Sequence, residues 1–162
     1  MRREVQLLLH GGFDLVTTLL DYYGFPSDAP GMADRPSAGP YERVAHVERA
    51  LATDVGSSRF LPNLVLHETE TWVLAAANEL ADVLGDKSIA ADLHQMINNA
   101  GGVELVNDGV LTAPSKRLLQ RCPAYRKTLD GPLAISALGL PELRVRCRRL
   151  DAWLTTIESI PS

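Results

Sequence analysis

Three acidic residues stand at the ends of two apolar runs. Asp21 closes the run that begins at Asp14, and Glu68 and Glu70 close the run that begins at Phe60. In open α/β sheets, ligands bind outside the carboxyl ends of the strands. Carboxylates that meet there hold a hard divalent cation, Mg²⁺ or Mn²⁺, which takes oxygen ligands and keeps several waters. Such an ion activates water and clamps phosphate in phosphodiester chemistry. Asp21, Glu68 and Glu70 are therefore the candidate metal ligands and catalytic residues. The competing reading makes them strand-end or helix-cap residues, favoured by the positive end of a helix dipole.

Other chemistries fail on spacing. His67-Glu68-Thr69-Glu70-Thr71 is not a zinc-protease motif, because HExxH needs histidine where Thr71 stands. There is no GxxxxGK[ST] loop, and the Gly11-Gly12 pair is too sparse to cradle phosphate. Ser115, Lys116 and Arg117 open a segment led by Pro114, and Tyr125, Arg126 and Lys127 follow. A helix start with cations offers N–H groups and positive charge to an anion. Lys116, Arg117, Arg126 and Lys127 are thus candidate nucleic-acid contacts.

Charge is unevenly spread. Residues 115–149 carry nine basic residues and two acids, while the rest of the chain carries seven basic residues and eighteen acids. Either a basic face meets phosphate or an acidic partner, or these cations pair with acids of their own domain.

The elements that must position these residues follow from apolar spacing. Residues 2–10 form a short helix, and 14–21 a buried strand entered at Gly11-Gly12. Gly24 to Tyr41 holds four prolines and three glycines. That stretch is too long for a mere connection, so it is a functional flap or a mobile excursion. Helices are expected over 41–53, 70–84 and 88–99, with a second buried strand over 60–68 that tolerates Pro62 near its start. A turn is expected at Asn107-Asp108-Gly109, then short helices near 114–121 and 131–138. One last continuous helix starts at Pro141, its stripe running through Leu143, Cys147, Leu150, Leu154 and Ile157. Only two strands emerge, too few to stand alone. Either weaker strands are hidden or part of the sheet is missing, and an unpaired edge would invite a second chain.

The 162 residues and formal charge of −4 fit one globular domain over 1–162. Its sheet core spans 11–84, with the flap at 24–41, and a helical, basic part spans 88–162. Cys122 and Cys147 have no CxxC pairing and read as reduced thiols of a cytoplasmic protein. No apolar run reaches the ~20 residues of a membrane span, and no signal peptide is evident.

The motifs, in order, resemble one family. They are Val16 to Pro26, Arg59 to Pro62, Leu66 to Glu70, Glu104 to Gly109 and Ala113 to Leu118. Tyr125 to Lys127, Gly131-Pro132, Gly139-Leu140, Arg144, Cys147 and Asp151 to Leu154 follow. Over about residues 14–157 the chain is similar to the bacterial domain-of-unknown-function family 4276, regarded as Toprim-like. The resemblance implies a Toprim-like α/β fold, a partial parallel sheet flanked by helices with a helical C-terminal part. Toprim domains hold Mg²⁺ with a first-strand Glu and a later Asp-x-Asp. Asp21 matches the first Asp and Tyr23 stands at the second. Thr69 replaces the Phe common between the two glutamates, and the family's opening strand with Glu-Gly-x-x-Glu is not seen. The resemblance also implies a phage-defence setting with an ATPase partner.

Two functions of different class follow. One is Mg²⁺- or Mn²⁺-dependent phosphodiester chemistry on nucleic acid. The other is a non-catalytic interaction subunit, or degenerate Toprim relative, that docks on a partner protein as a homo- or hetero-oligomer.

Overall fold

The computed structural model describes residues 1–66, 68–106 and 114–160, without the side chains of Pro114 and Arg117. The expected turn at Asn107-Asp108-Gly109 and the side chains of His67 and Arg117 lie outside the described residues. The fold is α/β, and the chain divides into two compact units, Met1–Leu66 and His67–Ser162. The boundary falls inside the segment expected as one sheet core.

The first unit runs α1 (Arg2–His10), β1 (Val16–Thr17), β2 (Leu20–Asp21), α2 (Pro40–Val55), β3 (Phe60–Leu61) and β4 (Leu64–Val65). β1 pairs with β3 in parallel, Val16 opposite Phe60; β2 pairs with β4, Leu20 opposite Leu64 and Asp21 opposite Val65. The two short ladders share one register, so they are a single pair of strands interrupted in the middle. The interruption falls at Pro62, which has no N–H to give a ladder. Thr18 replaces the missing rung: its hydroxyl donates to the Asn63 carbonyl at 3.0 Å and accepts from the Asn63 N–H at 2.9 Å. Parallel strands connected this way need a crossover, and α2 supplies it. Its Glu48 accepts from the Leu64 N–H at 2.8 Å.

The two strands differ in burial. Leu64, Val65 and Leu66 are buried, as expected. The first strand is not: Leu19 and Leu20 are 47% and 38% exposed, and only Val16 is buried. An apolar, β-branched run gives a strand, but its pattern cannot show whether anything covers it.

The proline-rich stretch after β2 is tied down within its unit. Met32 is buried, and Arg35 donates to the Met32 carbonyl at 2.7 Å and to the Tyr22 hydroxyl at 3.1 Å. At Gly31 φ is +78°, and an added Cβ would stand 2.7 Å from the Ala50 methyl of α2. Only glycine meets both conditions, the left-handed backbone and the close approach. The segment is therefore anchored to its own unit at Gly31, Met32 and Arg35.

The second unit is helical: α3 (Glu70–Ala75), α4 (Ala77–Leu84), α5 (Ser88–Ala100), a 3₁₀ turn (Val103–Leu105), α6 (Pro114–Arg121), α7 (Asp130–Leu138), α8 (Leu140–Arg146) and α9 (Arg148–Glu158). Leu74, Leu80, Leu93, Leu118, Ala134 and Cys147 have no exposed surface and centre its core.

Two helices expected to be continuous are broken. The 70–84 helix breaks at Ala76, where φ is −94° and ψ is 39°. The Ala75 carbonyl near this break accepts from the Arg146 guanidinium at 2.7 Å. The last helix breaks at Cys147, where φ is −116° and ψ is 88°. The apolar stripe persists across it, since Leu143, Cys147 and Leu150 are all buried. The break opens a new N-terminus, and the Arg149 N–H there donates to both oxygens of buried Glu104, at 2.9 and 3.3 Å. A stripe of spacing 3 and 4 reports burial, not the integrity of each backbone bond.

Cys122 and Cys147 are free and buried. Burial pushes the Cys122 thiol up, and burial with the nearby Glu104 charge pushes Cys147 up to about 12. A thiol with a raised pKa supports the fold below its ordinary value, and that support fades as pH rises towards 12. Both thiols are therefore expected to resist Ellman's reagent at pH 8 and to react fully in guanidinium. Rapid labelling of the native protein would contradict this burial.

Candidate functional site

The sequence-expected residues fall into both units. Asp21 ends β2 in the first unit and is exposed. It lines a cavity of about 590 Å³ with Leu20, Phe25, Pro26 and Asp28, beside the Arg2–Asp54 ion pair. Glu68 and Glu70 belong to the second unit, beyond the end of β4 at Val65. Glu68 lies outside any strand, and Glu70 is the first residue of α3.

The second-unit acids are each engaged by a residue from the basic segment. Glu68 is half-buried, and its Oε2 accepts from the Ser115 backbone N–H at 3.0 Å, in the first turn of α6. The anion at that helix start is thus the chain's own carboxylate, from 47 residues away. Glu70 is 2% exposed. The Lys127 ammonium lies 2.6 Å from its Oε1, while Oε2 has no hydrogen-bond partner among the described residues.

Tyr125 completes this environment. It is buried, and its hydroxyl has no hydrogen-bond partner among the described residues. Burial pushes the phenol up to about 12, with the charges of Glu70 and Asp130 adding to it. The ring needs Gly131: a Cβ there would lie 2.7 Å from the hydroxyl and 3.1 Å from Val73 Cγ2. Tyr125 and Asp130 were not legible as site residues. The available signal was the i, i+4 spacing of Arg126 and Asp130.

The four expected phosphate contacts differ in use. Lys127 pairs with Glu70. Arg126 grips Asp130 with its backbone N–H at 2.7 Å and its guanidinium at 2.7 and 3.2 Å. These side-chain hydrogen bonds, with the backbone bond second, hold the Asp130 carboxyl below the usual carboxylate range. Lys116 is exposed on α6, and the Arg117 side chain lies outside the described residues. Elsewhere in the segment Arg121 pairs with Asp92, Arg144 with Asp151 and Glu158, and Arg146 with Glu142. Much of the positive charge is therefore spent within the second unit.

Among the described residues no three carboxylate, imidazole or thiol side chains converge as a metal cage. Mg²⁺ does not require one, since it is commonly held by one or two carboxylates with substrate phosphate and water. Glu70 fits that mode: a buried carboxylate oxygen without a hydrogen-bond partner is a costly arrangement unless something is to meet it. The donors are all oxygens, which suits a hard cation and not zinc.

Among the described residues no helix is long and apolar enough to cross a membrane. No curated protein and no solved structure matches the chain. A family model does match, over residues 1–158, and its description is Domain of unknown function (DUF4276); the chain belongs to that family.

Proposed function

We propose that the second unit carries a Mg²⁺- or Mn²⁺-dependent phosphodiester site built on Glu70 and Glu68, with nucleic acid as substrate. The observation that carries this is the Glu70 carboxylate: almost fully buried, one oxygen facing an ammonium and the other without a hydrogen-bond partner. Membership of a family regarded as Toprim-like supports the same chemistry. When bound, the metal supplies Lewis acidity and an activated water. Glu70 and Glu68 would hold it, Lys127 and the α6 start would bind the phosphate, and Lys116 would add charge for the backbone beyond it. Tyr125, protonated at neutral pH, is a hydroxyl donor beside the carboxylate. Asp21 belongs to the first unit, and the reading rests on the second-unit acids alone.

The test is incubation of the purified chain with supercoiled plasmid, single-stranded DNA and RNA, in Mg²⁺, Mn²⁺ or EDTA. Metal-dependent cleavage of at least one substrate is expected. Binding should weaken steeply with salt, because phosphate contacts release counterions. No salt-sensitive binding to any of them would overturn the reading.

A specific observation favours the interaction-subunit reading as second. The first unit exposes Leu7, Leu8, Phe13, Leu19 and Leu20, apolar residues that a partner chain would cover.

A further inference from the structure

The cation on Glu70 is the protein's own. A carboxylate at 2% exposure needs a partner charge or donor close by, because the interior does not replace lost water. Lys127 provides it at 2.6 Å, yet its side chain is 61% exposed. The pair is thus asymmetric: the acid is locked in place and the base sits on a flexible four-carbon stem that reaches solvent. Tyr125 and Asp130 add no compensation, since one is neutral and the other is held by Arg126.

We infer that Lys127 is a positioning residue that stands in for the metal on Glu70 and moves to the substrate phosphate when the metal arrives. This rests on the reading of Glu70 as a metal ligand. The exchange balances charge at every stage. A divalent cation replaces an ammonium on the buried carboxylate, and the displaced ammonium finds a phosphate instead of water. Metal alone must compete with Lys127 for Glu70. Metal accompanied by phosphate does not, because the phosphate gives the ammonium a new partner. The two ligands therefore bind with positive coupling, and by linkage each raises the affinity of the other equally.

A similar exchange operates on the anion side. Glu68 holds the first turn of α6 through the Ser115 N–H. A phosphate at that turn displaces a carboxylate that the metal can then accept. The resting arrangement carries an internal cation on one acid and an internal donor on the other, so both acids take up metal more weakly when no phosphate is nearby.

Mn²⁺ titration by calorimetry, with and without a short oligothymidylate, tests this on wild type, Lys127→Gln and Glu70→Gln. Wild type should bind Mn²⁺ weakly alone and about 10-fold more tightly with the oligonucleotide. Lys127→Gln should bind Mn²⁺ alone about 10-fold more tightly than wild type and gain much less from the oligonucleotide. Circular-dichroism melts report whether Lys127→Gln folds. If it does not, Lys127→Arg replaces it: the retained cation should leave Mn²⁺ binding alone no tighter than wild type, with the coupling preserved. Mn²⁺ affinity unchanged in folded Lys127→Gln, or coupling absent from wild type and Lys127→Arg, would overturn the exchange. Failure of the underlying reading looks different, since Glu70→Gln would then bind Mn²⁺ as wild type does.

Discussion

Glu70→Gln is expected to abolish metal-dependent phosphodiester cleavage, by at least about 100-fold, since even groups that only support a metal ligand cost 10–100-fold. The same substitution should leave the fold almost untouched, with stability changed by less than about 1 kcal/mol. The reason lies in where each partner sits. Glutamine keeps the shape of the buried side chain and removes its charge. The Lys127 ammonium left behind is mostly exposed and is hydrated at once. The reverse deletion should cost more, because losing Lys127 leaves the buried Glu70 carboxylate without its cation. Cleavage kinetics beside urea denaturation separate the two effects. Loss of activity in step with loss of stability would make Glu70 a structural residue only.

Glu104→Ala is expected to destabilise the protein by about 2–4 kcal/mol, combining a lost buried hydrogen-bond acceptor with a cavity. The Glu104 carboxylate is 5% exposed and takes the Arg149 N–H through both oxygens. It caps the N-terminus of α9, where a negative charge also meets the helix dipole. In a chain of 162 residues each kcal/mol lowers the melting temperature by about 2–4 °C. Glu104→Gln keeps an oxygen acceptor and should lose less than half as much. A thermal melt in which Glu104→Ala matches wild type would show that α9 does not depend on this cap.

The contrast between Glu104 and Glu70 shows how far sequence reading reaches. Both are buried glutamates, and nothing in their local spacing tells a cap from a candidate ligand. Glu70 drew attention because it follows an apolar strand. Glu104 stands out in the sequence only as the first residue of the stretch Glu104 to Gly109. Its partner lies 45 residues further on, at a helix start that exists only because the chain breaks at Cys147. That break is invisible in the stripe, which continues through it.

Helix positions were legible because caps and periodicity are local. Pro40 opens α2 as a first-turn proline, with Glu42 accepting from the Gly39 N–H at 3.1 Å. The parallel pairing of the two apolar runs was also legible, because both lack alternation and an α-helix lies between them. What covers the first run was not, since burial of a strand depends on elements elsewhere in the chain. The basic segment was legible as a feature but not in its use. Arg126 with Asp130 follows a helical spacing, whereas Lys127 with Glu70 and Ser115 with Glu68 join distant stretches. These long-range pairs make the candidate site, and composition cannot show them.

Mn²⁺ binding by wild type and Glu70→Gln, titrated in the presence of a short oligothymidylate and followed by the loss of the free-ion electron paramagnetic resonance signal, decides whether Glu70 is a metal ligand. Glu70 as a metal ligand predicts saturable binding to wild type and binding at least about 10-fold weaker to a folded Glu70→Gln. Indistinguishable titrations of the two proteins would contradict it, and Glu70 would then be the buried half of a structural ion pair.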